Sequence, residues 1–274
     1  MRNNSTKFLY SLGLFALIFY LVGPVLWQLI TSLKSNSILS SLPPVLPDKI
    51  VFSHYISVFT ERPFARIILN SFIVASVTTV YCLFIGILAA FSLSIFNIRG
   101  KKLFLALVLS ISMFPPISTV SPLYLLIRAV GIRDTYFALI FPYATFALPL
   151  SIWVLTSFIS DIPKELYKAA RIDGCSPLQA LRKIIFPLAA PGIFTCAILV
   201  FIFAWNEFLY ALTFTTTVKS RTIPVAIALF PGLHEVPWGE IAAASIIVTI
   251  PLVVLVFFFQ KRIISGLTAG SVKG

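Results

Sequence analysis

Long apolar runs constrain this 274-residue chain more than any other feature of its sequence. A run of about 20 apolar residues, coiled as a helix, crosses the hydrocarbon core of a bilayer. The regular alternation of polar and apolar residues that barrel strands need is missing, which favours helices. The sequence therefore predicts an all-α integral membrane protein with six transmembrane helices. The predicted spans are Phe8–Ile30, Ile67–Phe96, Leu103–Ile127, Tyr136–Ile159, Pro191–Thr213 and Ile241–Phe259.

The distribution of basic residues predicts how these spans are oriented. If both termini lie inside the cell, 13 of the 21 Lys and Arg residues fall on the inner side and 8 fall in outer loops. Inner loops of membrane proteins carry such an excess, so we expect both termini to be cytoplasmic. The excess of basic residues on the inner side then explains the net charge of +12, and no nucleic-acid partner is needed.

The spans are spaced unevenly along the chain. Residues 1–66 hold the first span and a Ser- and Pro-rich outer loop, whereas residues 67–260 hold five spans with mostly short connections. We expect the second part to form a compact five-helix core, followed by a tail at 261–274. Neither the cysteines nor the two histidines have a spacing typical of metal ligands, so we predict no metal site.

A charged segment at 161–187 is the long hydrophilic interruption of this core. Asp161 is placed to cap a first short helix, and Gly174 to end it in the left-handed conformation. Ser176, Pro177 and Gln179 then form the pattern of a capped second helix. Such a compact element folds without a partner, and its small Ala and Gly residues let another backbone approach closely. We expect a water-soluble partner to bind here.

Prolines interrupt several spans, and each one removes an intrahelical hydrogen bond. Two interpretations remain open for them: simple packing kinks, or a broken helix that lines a substrate path. The prolines concerned are Pro115, Pro116, Pro122, Pro142, Pro149 and Pro251.

Glu207 is the carboxylate that falls inside a predicted span, within FAWNEFLYAL. An intramembrane Glu usually faces the bundle interior or a wet cavity. With Trp205, Asn206 and Tyr210 it forms a candidate substrate path, because aromatic rings stack on sugar faces while amides and carboxylates pair with hydroxyls. The alternative is a structural hydrogen bond from Glu207 to a neighbouring helix or backbone group.

The charged segment resembles the EAA loop of type I ABC import permeases. The sequence KAARIDG, nine further residues and IIFP match its pattern at Ala169, Ala170, Gly174, Ile184 and Pro187. Lys168 stands where the pattern has Glu, and Phe186 where it has Leu. The runs ILNSFIVA, FAWNEFLYAL and QKRIISGLTAGSVKG also resemble maltose-type carbohydrate permeases, in particular their smaller, G-type subunit.

This resemblance implies the type I importer permease fold in a prokaryotic plasma (inner) membrane. It also implies a homologous second permease subunit, a dimer of cytoplasmic ATPase subunits that binds ATP and Mg²⁺, and an extracytoplasmic solute-binding protein facing about residues 215–238. The implied ATPase-coupling residues are Glu165, Lys168, Ala169, Ala170, Asp173, Gly174 and Pro187. The tail residues Gly270, Ser271, Val272, Lys273 and Gly274 would also contact the ATPase.

The residues agree with a transport subunit that has no catalytic residues and no cofactor of its own. A phosphate-binding GxxxxGK[ST] loop is missing from the sequence, so ATP hydrolysis must come from a partner. We predict import of a sugar: a disaccharide, an oligosaccharide or a glucosyl-polyol osmolyte. The alternatives are another polyol-type solute such as glycerol phosphate, a membrane-embedded transferase, and an anchor that recruits a cytoplasmic protein without moving solute.

Overall fold

The computed structural model describes residues 4–39, 46–230 and 236–268, and the regular structure in these ranges is helical. A π-helical turn, Leu181–Ile185, joins the helix Pro177–Ala180 to the helix Phe186–Asn206. The helices are α1 Asn4–Ser32, α2 Asn36–Leu39, α3 Ser53–Thr60, α4 Phe64–Ile95, α5 Lys101–Ser112, α6 Pro116–Val130, α7 Phe137–Ser160, α8 Lys164–Ile172, α9 Pro177–Ala180, α10 Phe186–Asn206, α11 Leu209–Phe214, α12 Ile223–Ala228 and α13 Trp238–Thr268.

Five helical stretches in the described residues are long and apolar enough to cross a membrane. A sixth crossing results if α5 and α6, which are bent by 85° at their junction, are counted as one broken span. This architecture confirms the predicted all-α membrane fold. The five stretches are Tyr10–Ser32, Phe64–Ile95, Phe137–Ser160, Pro177–Asn206 and Trp238–Gln260.

The chain divides into two compact units, one of residues 1–65 and 226–251 and the other of residues 66–225 and 252–274. In the first unit, Arg62 forms a 2.9 Å salt bridge with Glu240, and its guanidinium lies 4.2 Å from the centre of the Phe230 ring. The three-part division of the chain that the sequence suggests stays a prediction.

The core of the second unit lies between α4, α7 and α10. Buried apolar side chains from the three helices meet there, among them Phe91, Leu155 and Ile193. Gly192 lets α10 approach α7 closely, because a Cβ atom at this position would overlap the Phe158 ring. Small residues at such crossings are typical of membrane proteins, where close packing rather than water exclusion holds helices together.

Most of the prolines in the spans lie within continuous helices. Pro142 and Pro149 are inside α7, Pro122 is inside α6, and Pro251 is inside α13. Among these prolines, only Pro115 and Pro116 lie at an interruption of the helical path, the junction of α5 and α6, where Pro115 has an extended backbone and Pro116 starts α6. The broken-helix geometry therefore occurs at this one pair, and the other four prolines fit the interpretation of packing kinks.

Candidate functional site

Helix α8 is anchored to the second unit by one of its faces. The Tyr167 ring packs edge-on against the rings of Phe91 and Phe96 at the end of α4, with centroids 5.8 and 6.1 Å apart. Ala170, one helical turn further on, is buried. Aromatic contacts of this geometry hold α8 in a defined orientation on the bundle.

The opposite face of α8 exposes apolar side chains. Ile172 is 86% exposed and Leu166 is 42% exposed, and Ala169 lies between them on the surface. Leu178 of α9 is also 66% exposed. Exposed apolar groups in a charged, hydrophilic segment mark a surface for protein contact. These four residues are called the α8 surface below.

Gly174 ends α8 in the left-handed conformation, with φ at +83°. The N–H of Cys175 donates to the carbonyl of Ala170 at 3.0 Å, and the N–H of Gly174 donates to the carbonyl of Arg171 at 3.3 Å. This pair of bonds is the Schellman motif, which reverses the chain direction tightly at a glycine. The predicted helix end at Gly174 is confirmed.

Ser176 and Gln179 form the predicted capping box at the start of α9. The N–H of Gln179 donates to Ser176 Oγ at 3.3 Å, and the N–H of Ser176 donates to Gln179 Oε1 at 2.7 Å. The prediction that Asp161 caps α8 is wrong. Pro163 occupies the position before α8, whereas Asp161 directly follows the last residue of α7.

Helix α9 is continuous with the long helix that forms the fifth span. The helical path runs from Pro177 through the π-helical turn into α10 and ends at Asn206. The predicted span Pro191–Thr213 is therefore shifted, because the charged segment contributes the first turns of the spanning helix. A displacement of α9 would be transmitted along this helix.

The predicted coupling residues lie together at this end of the second unit. Pro187, in the first turn of α10, is exposed, and Ala170 is buried against the bundle. The remaining predicted residues are exposed, and they are Glu165, Lys168, Ala169, Asp173 and Gly174.

Glu207 lies in a break between two helices, so its predicted location inside a continuous span is wrong. Its Oε1 atom accepts a 2.9 Å hydrogen bond from the N–H of Tyr210, and Oε2 accepts a 3.2 Å bond from the N–H of Ala211. The carboxylate thus satisfies the first free N–H groups of α11. This is the kind of structural hydrogen bond that the alternative interpretation expected, and a contact with substrate stays a prediction.

The other three residues of the predicted path have different surroundings. Trp205 is buried and stacks on Phe201, whereas Asn206 is exposed and donates to the Ile202 carbonyl at 2.8 Å. Tyr210 is buried and stacks on Phe146. Asn206 is thus the most exposed member of this group.

A cavity of about 400 Å³ lies between α5, α6 and α7 next to Tyr210. Its lining is almost wholly apolar and includes Phe114, Thr119, Leu123 and Phe146. The Tyr210 hydroxyl reaches its edge, 2.7 Å from the Thr119 hydroxyl. Aromatic rings in this wall could stack on a sugar face, but few polar groups there could pair with its hydroxyls.

A polar network at the other end of the second unit was missed by the sequence reasoning. Asp134 accepts bonds at Oδ1 from the N–H groups of Thr216 and Thr217, at 2.8 and 3.0 Å, and from the Ser220 hydroxyl. Its Oδ2 atom accepts a 2.6 Å bond from the Thr217 hydroxyl. The polar run TTTVKSR was the available signal, but it does not reveal a partner more than 80 residues away.

Buried Asn70 extends this network to α4. Its side-chain amide donates to the carbonyls of Val218 and Arg221, both at 2.9 Å, and accepts a 2.6 Å bond from the Tyr136 hydroxyl. The two side chains, Asp134 and Asn70, hold the segment 216–221 against α4 and against the loop between α6 and α7.

The tail that the resemblance assigns to ATPase contact, Gly270–Gly274, lies outside the described residues, which end at Thr268. Helix α13 extends to that last described residue. The assignment of the tail stays a prediction.

Residues 82–268 match a family described as "Binding-protein-dependent transport system inner membrane component". The chain belongs to this family. Over 93% of its length the chain is 47% identical to the trehalose transport system permease protein SugB of Mycobacterium tuberculosis, of which it covers 93%. Over 98% of its length it is 43% identical to the trehalose/maltose transport system permease protein MalG of Thermococcus litoralis, of which it covers 97%.

The fold is also that of a solved importer. A chain of a bacterial ABC transporter involved in the import of the polysaccharide alginate superposes with a TM-score of 0.78 at 22% identity, covering 95% of this chain and 98% of that one. The family and its relatives confirm the predicted type I ABC importer permease of the carbohydrate uptake family. The chain is an inner-membrane transport component rather than an enzyme.

Proposed function

We propose that this chain is one of two permease subunits of an ATP-driven importer for a trehalose-type disaccharide. Two relatives, 47% and 43% identical over nearly their whole length, are named as trehalose or trehalose/maltose permeases, which supports this substrate class. The partners are a homologous second permease, a dimer of cytoplasmic ATPase subunits that binds ATP and Mg²⁺, and an external solute-binding protein. Both termini and α8 face the cytoplasm.

The α8 surface is the observation that carries the coupling proposal. Tyr167 holds α8 on the bundle, while Leu166, Ala169 and Ile172 are left exposed for a cleft of the ATPase. Removal of such apolar groups from water favours association with a complementary surface. Lys168, in place of the acid of the EAA pattern, does not interrupt this apolar stripe.

In this proposal, closure of the ATPase dimer displaces α8 and α9 together. Because α9 is continuous with α10, the displacement reaches the break at Glu207 and the neighbouring end of α6. The path for the sugar would then open or close near Asn206 and the cavity beside Tyr210. The second permease would supply most polar contacts to the sugar hydroxyls, and the tail Gly270–Gly274 would add a contact to the ATPase.

Replacement of Gly174 tests the coupling against a matched control. Gly174→Ala and Gly100→Ala each introduce a Cβ at a left-handed residue, with φ of +83° and +80°, and neither Cβ meets another atom within 4 Å. Each change costs about 1 kcal/mol of backbone strain. Because only Gly174 shapes the α8 surface, we expect Gly174→Ala to lower trehalose-stimulated ATP hydrolysis of the reconstituted complex at least fivefold, and Gly100→Ala to leave it near wild type.

Equal activity of the two variants would contradict the coupling assignment. The substrate class is tested separately, by uptake of labelled trehalose into cells in which a plasmid-borne copy of this chain replaces the chromosomal copy. We expect excess maltose to compete better than glycerol phosphate, because the basic side chains of the described spans, such as Arg66 and Arg182, lie near the helix ends and not in the middle of a span, where a phosphate would need a counter-charge. Competition by glycerol phosphate alone would overturn the disaccharide assignment.

A further inference from the structure

The end of the second unit opposite α8 carries an excess of basic side chains. Arg66, Arg133 and Lys219 are exposed there, and Arg221 is half-exposed. Charged loops on the outer side run against the usual inner bias of membrane proteins, so this group is not explained by orientation. We call these four residues the basic platform.

Hydrogen bonds and adjacent positions in the chain connect the members of the basic platform to the polar network. The Arg66 guanidinium donates to the Tyr136 hydroxyl at 3.4 Å, and that hydroxyl donates to Asn70. The Arg221 guanidinium donates to the Thr216 carbonyl at 2.9 Å. Arg133 precedes Asp134 in the chain. Lys219 lies between two residues that the network holds: Val218, which is bonded to Asn70, and Ser220, which is bonded to Asp134. The four cations therefore lie around the segment 216–221, which the hydrogen bonds to Asn70 and Asp134 hold in place.

The described carboxylates at this end offset the four positive charges only in part. In residues 66–225, all of which the structure describes, the carboxylates at this end are Asp134 and Glu207. Both accept bonds from backbone N–H or hydroxyl groups, and among the described residues none of the four cations forms a salt bridge. Exposed like charges without counter-charges attract an anionic partner and steer its approach.

The segment under the platform is also held more firmly than a solvent-exposed loop needs to be. The N–H of Ile223 donates to the buried Ser71 hydroxyl at 2.9 Å, in addition to the bonds from Asn70 and Asp134. Asp134 itself has a left-handed backbone, with φ at 59°, which costs a non-glycine residue of order 1 kcal/mol. A fluid lipid headgroup adapts to any position of a cation, whereas a folded partner surface requires a fixed arrangement.

We infer that the basic platform docks an acidic surface of the external solute-binding protein, and that Asp134 and Asn70 are positioning residues that hold the docking segment in shape. This inference rests on the proposed function, and it adds the charge chemistry of the contact. Carboxylates of the binding protein would pair with Arg66, Arg133, Lys219 and Arg221, while the exposed Thr216 and Thr217 would meet its backbone or side chains.

Affinity measurements on the full complex test the inference. The complex is placed in nanodiscs of phosphatidylcholine, and its Kd for the solute-binding protein recovered with it is measured at 50 and 300 mM NaCl. We expect Arg133→Glu/Lys219→Glu to weaken binding about tenfold at low salt and to flatten the salt dependence. Lys49→Glu, an equally exposed lysine of the first unit, is the control for a general charge effect.

Asp134→Asn separates positioning from charge. It makes the platform more positive by one unit, so attraction alone would tighten binding. Loss of the clamp on Thr217 and Ser220 would instead weaken binding, and this is the result we expect, with assembly of the complex unchanged. Asn accepts a left-handed backbone readily, which keeps the test free of strain.

Three outcomes would overturn the inference. If the wild type binds the solute-binding protein and Arg133→Glu/Lys219→Glu binds it with unchanged affinity, the platform is excluded as the docking surface. A defect that appears only in nanodiscs with phosphatidylglycerol would assign the cations to lipid headgroups. Absence of any binding by the wild-type complex would show that the proposed importer function itself has failed.

Discussion

The hydroxyl groups of Thr119 and Tyr210 lie 2.7 Å apart and connect two helices, each of which begins after a short interruption of the helical backbone. Helix α6 begins after the bend at Pro115, and α11 begins after Glu207 and Phe208. The Tyr210 hydroxyl is also 3.3 Å from the Pro116 carbonyl, a group at the start of α6. The two interruptions are thereby connected beside one cavity, so a movement of α10 reaches α6.

A double-mutant cycle tests this connection. Thr119→Val and Tyr210→Phe each remove one hydroxyl of the pair, and we expect each to destabilise the protein by about 0.6 kcal/mol, the average for hydrogen bonds between membrane helices. The double variant should cost less than the sum of the two. Unfolding in mixed detergent micelles measures the three free energies, and strictly additive values would show that the hydroxyls do not interact.

Glu207 should be needed more for transport than for assembly if it also faces the substrate. Glu207→Ala removes both acceptors from the start of α11, at a cost of about 1 kcal/mol, whereas Glu207→Gln keeps one. We expect complexes of both variants to form and Glu207→Ala to transport at a small fraction of the wild-type rate. Failure of the Ala variant to assemble, with Gln normal, would favour a purely structural role.

Gly192 should tolerate no side chain. A Cβ atom there would overlap the Phe158 ring, so Gly192→Ala is expected to destabilise the fold by roughly 1–3 kcal/mol. Gly86→Ala is the matched control, because its Cβ would lie 3.1 Å from the mobile end of Leu155. The added change Phe158→Ala should rescue Gly192→Ala. A Gly192→Ala protein with the thermal stability of the wild type would contradict this close packing.

The thermal stability of the protein should depend on pH through the carboxyl group of Asp134. Burial by itself would raise the pKa of this carboxyl, but hydrogen bonds from Ser220, Thr216 and Thr217 outweigh it and hold the pKa well below its usual value of about 3.9. A lowered folded-state pKa contributes stability above the unfolded value that is lost as pH falls through the folded one. The Tm advantage over Asp134→Asn should therefore be full at pH 7 and shrink below about pH 4. A difference that is independent of pH would contradict it.

Ile172 should act at the contact with the ATPase and not in the fold. Its side chain is 86% exposed, so Ile172→Ser is expected to change the free energy of unfolding by less than about 0.5 kcal/mol. Loss of its burial in a complex should weaken ATPase binding by about tenfold. Co-purification of the ATPase subunit with each variant measures this, with exposed Ile98 as the control position. Equal losses for Ile172→Ser and Ile98→Ser would contradict a specific contact.

The elements that could be predicted from the sequence are those with local causes. The left-handed end at Gly174 and the capping box of Ser176 and Gln179 depend on residues within a few positions of each other. The spans follow from lengths of apolar sequence that water cannot solvate. The break after Asn206 was not predicted, because FAWNEFLYAL continues the apolar pattern across it, although the bonds that Glu207 accepts from the N–H groups of Tyr210 and Ala211 are local as well.

The sequence by itself determined that the chain crosses a membrane as helices, and that a self-capped segment interrupts its core. Both follow from hydrophobicity and from short-range backbone chemistry. Only the tertiary structure decided that Tyr167 packs on Phe96 and that Asp134 holds a segment 82 to 86 residues away. These features depend on which helices become neighbours, and contacts between distant residues leave no periodic signal in a single chain.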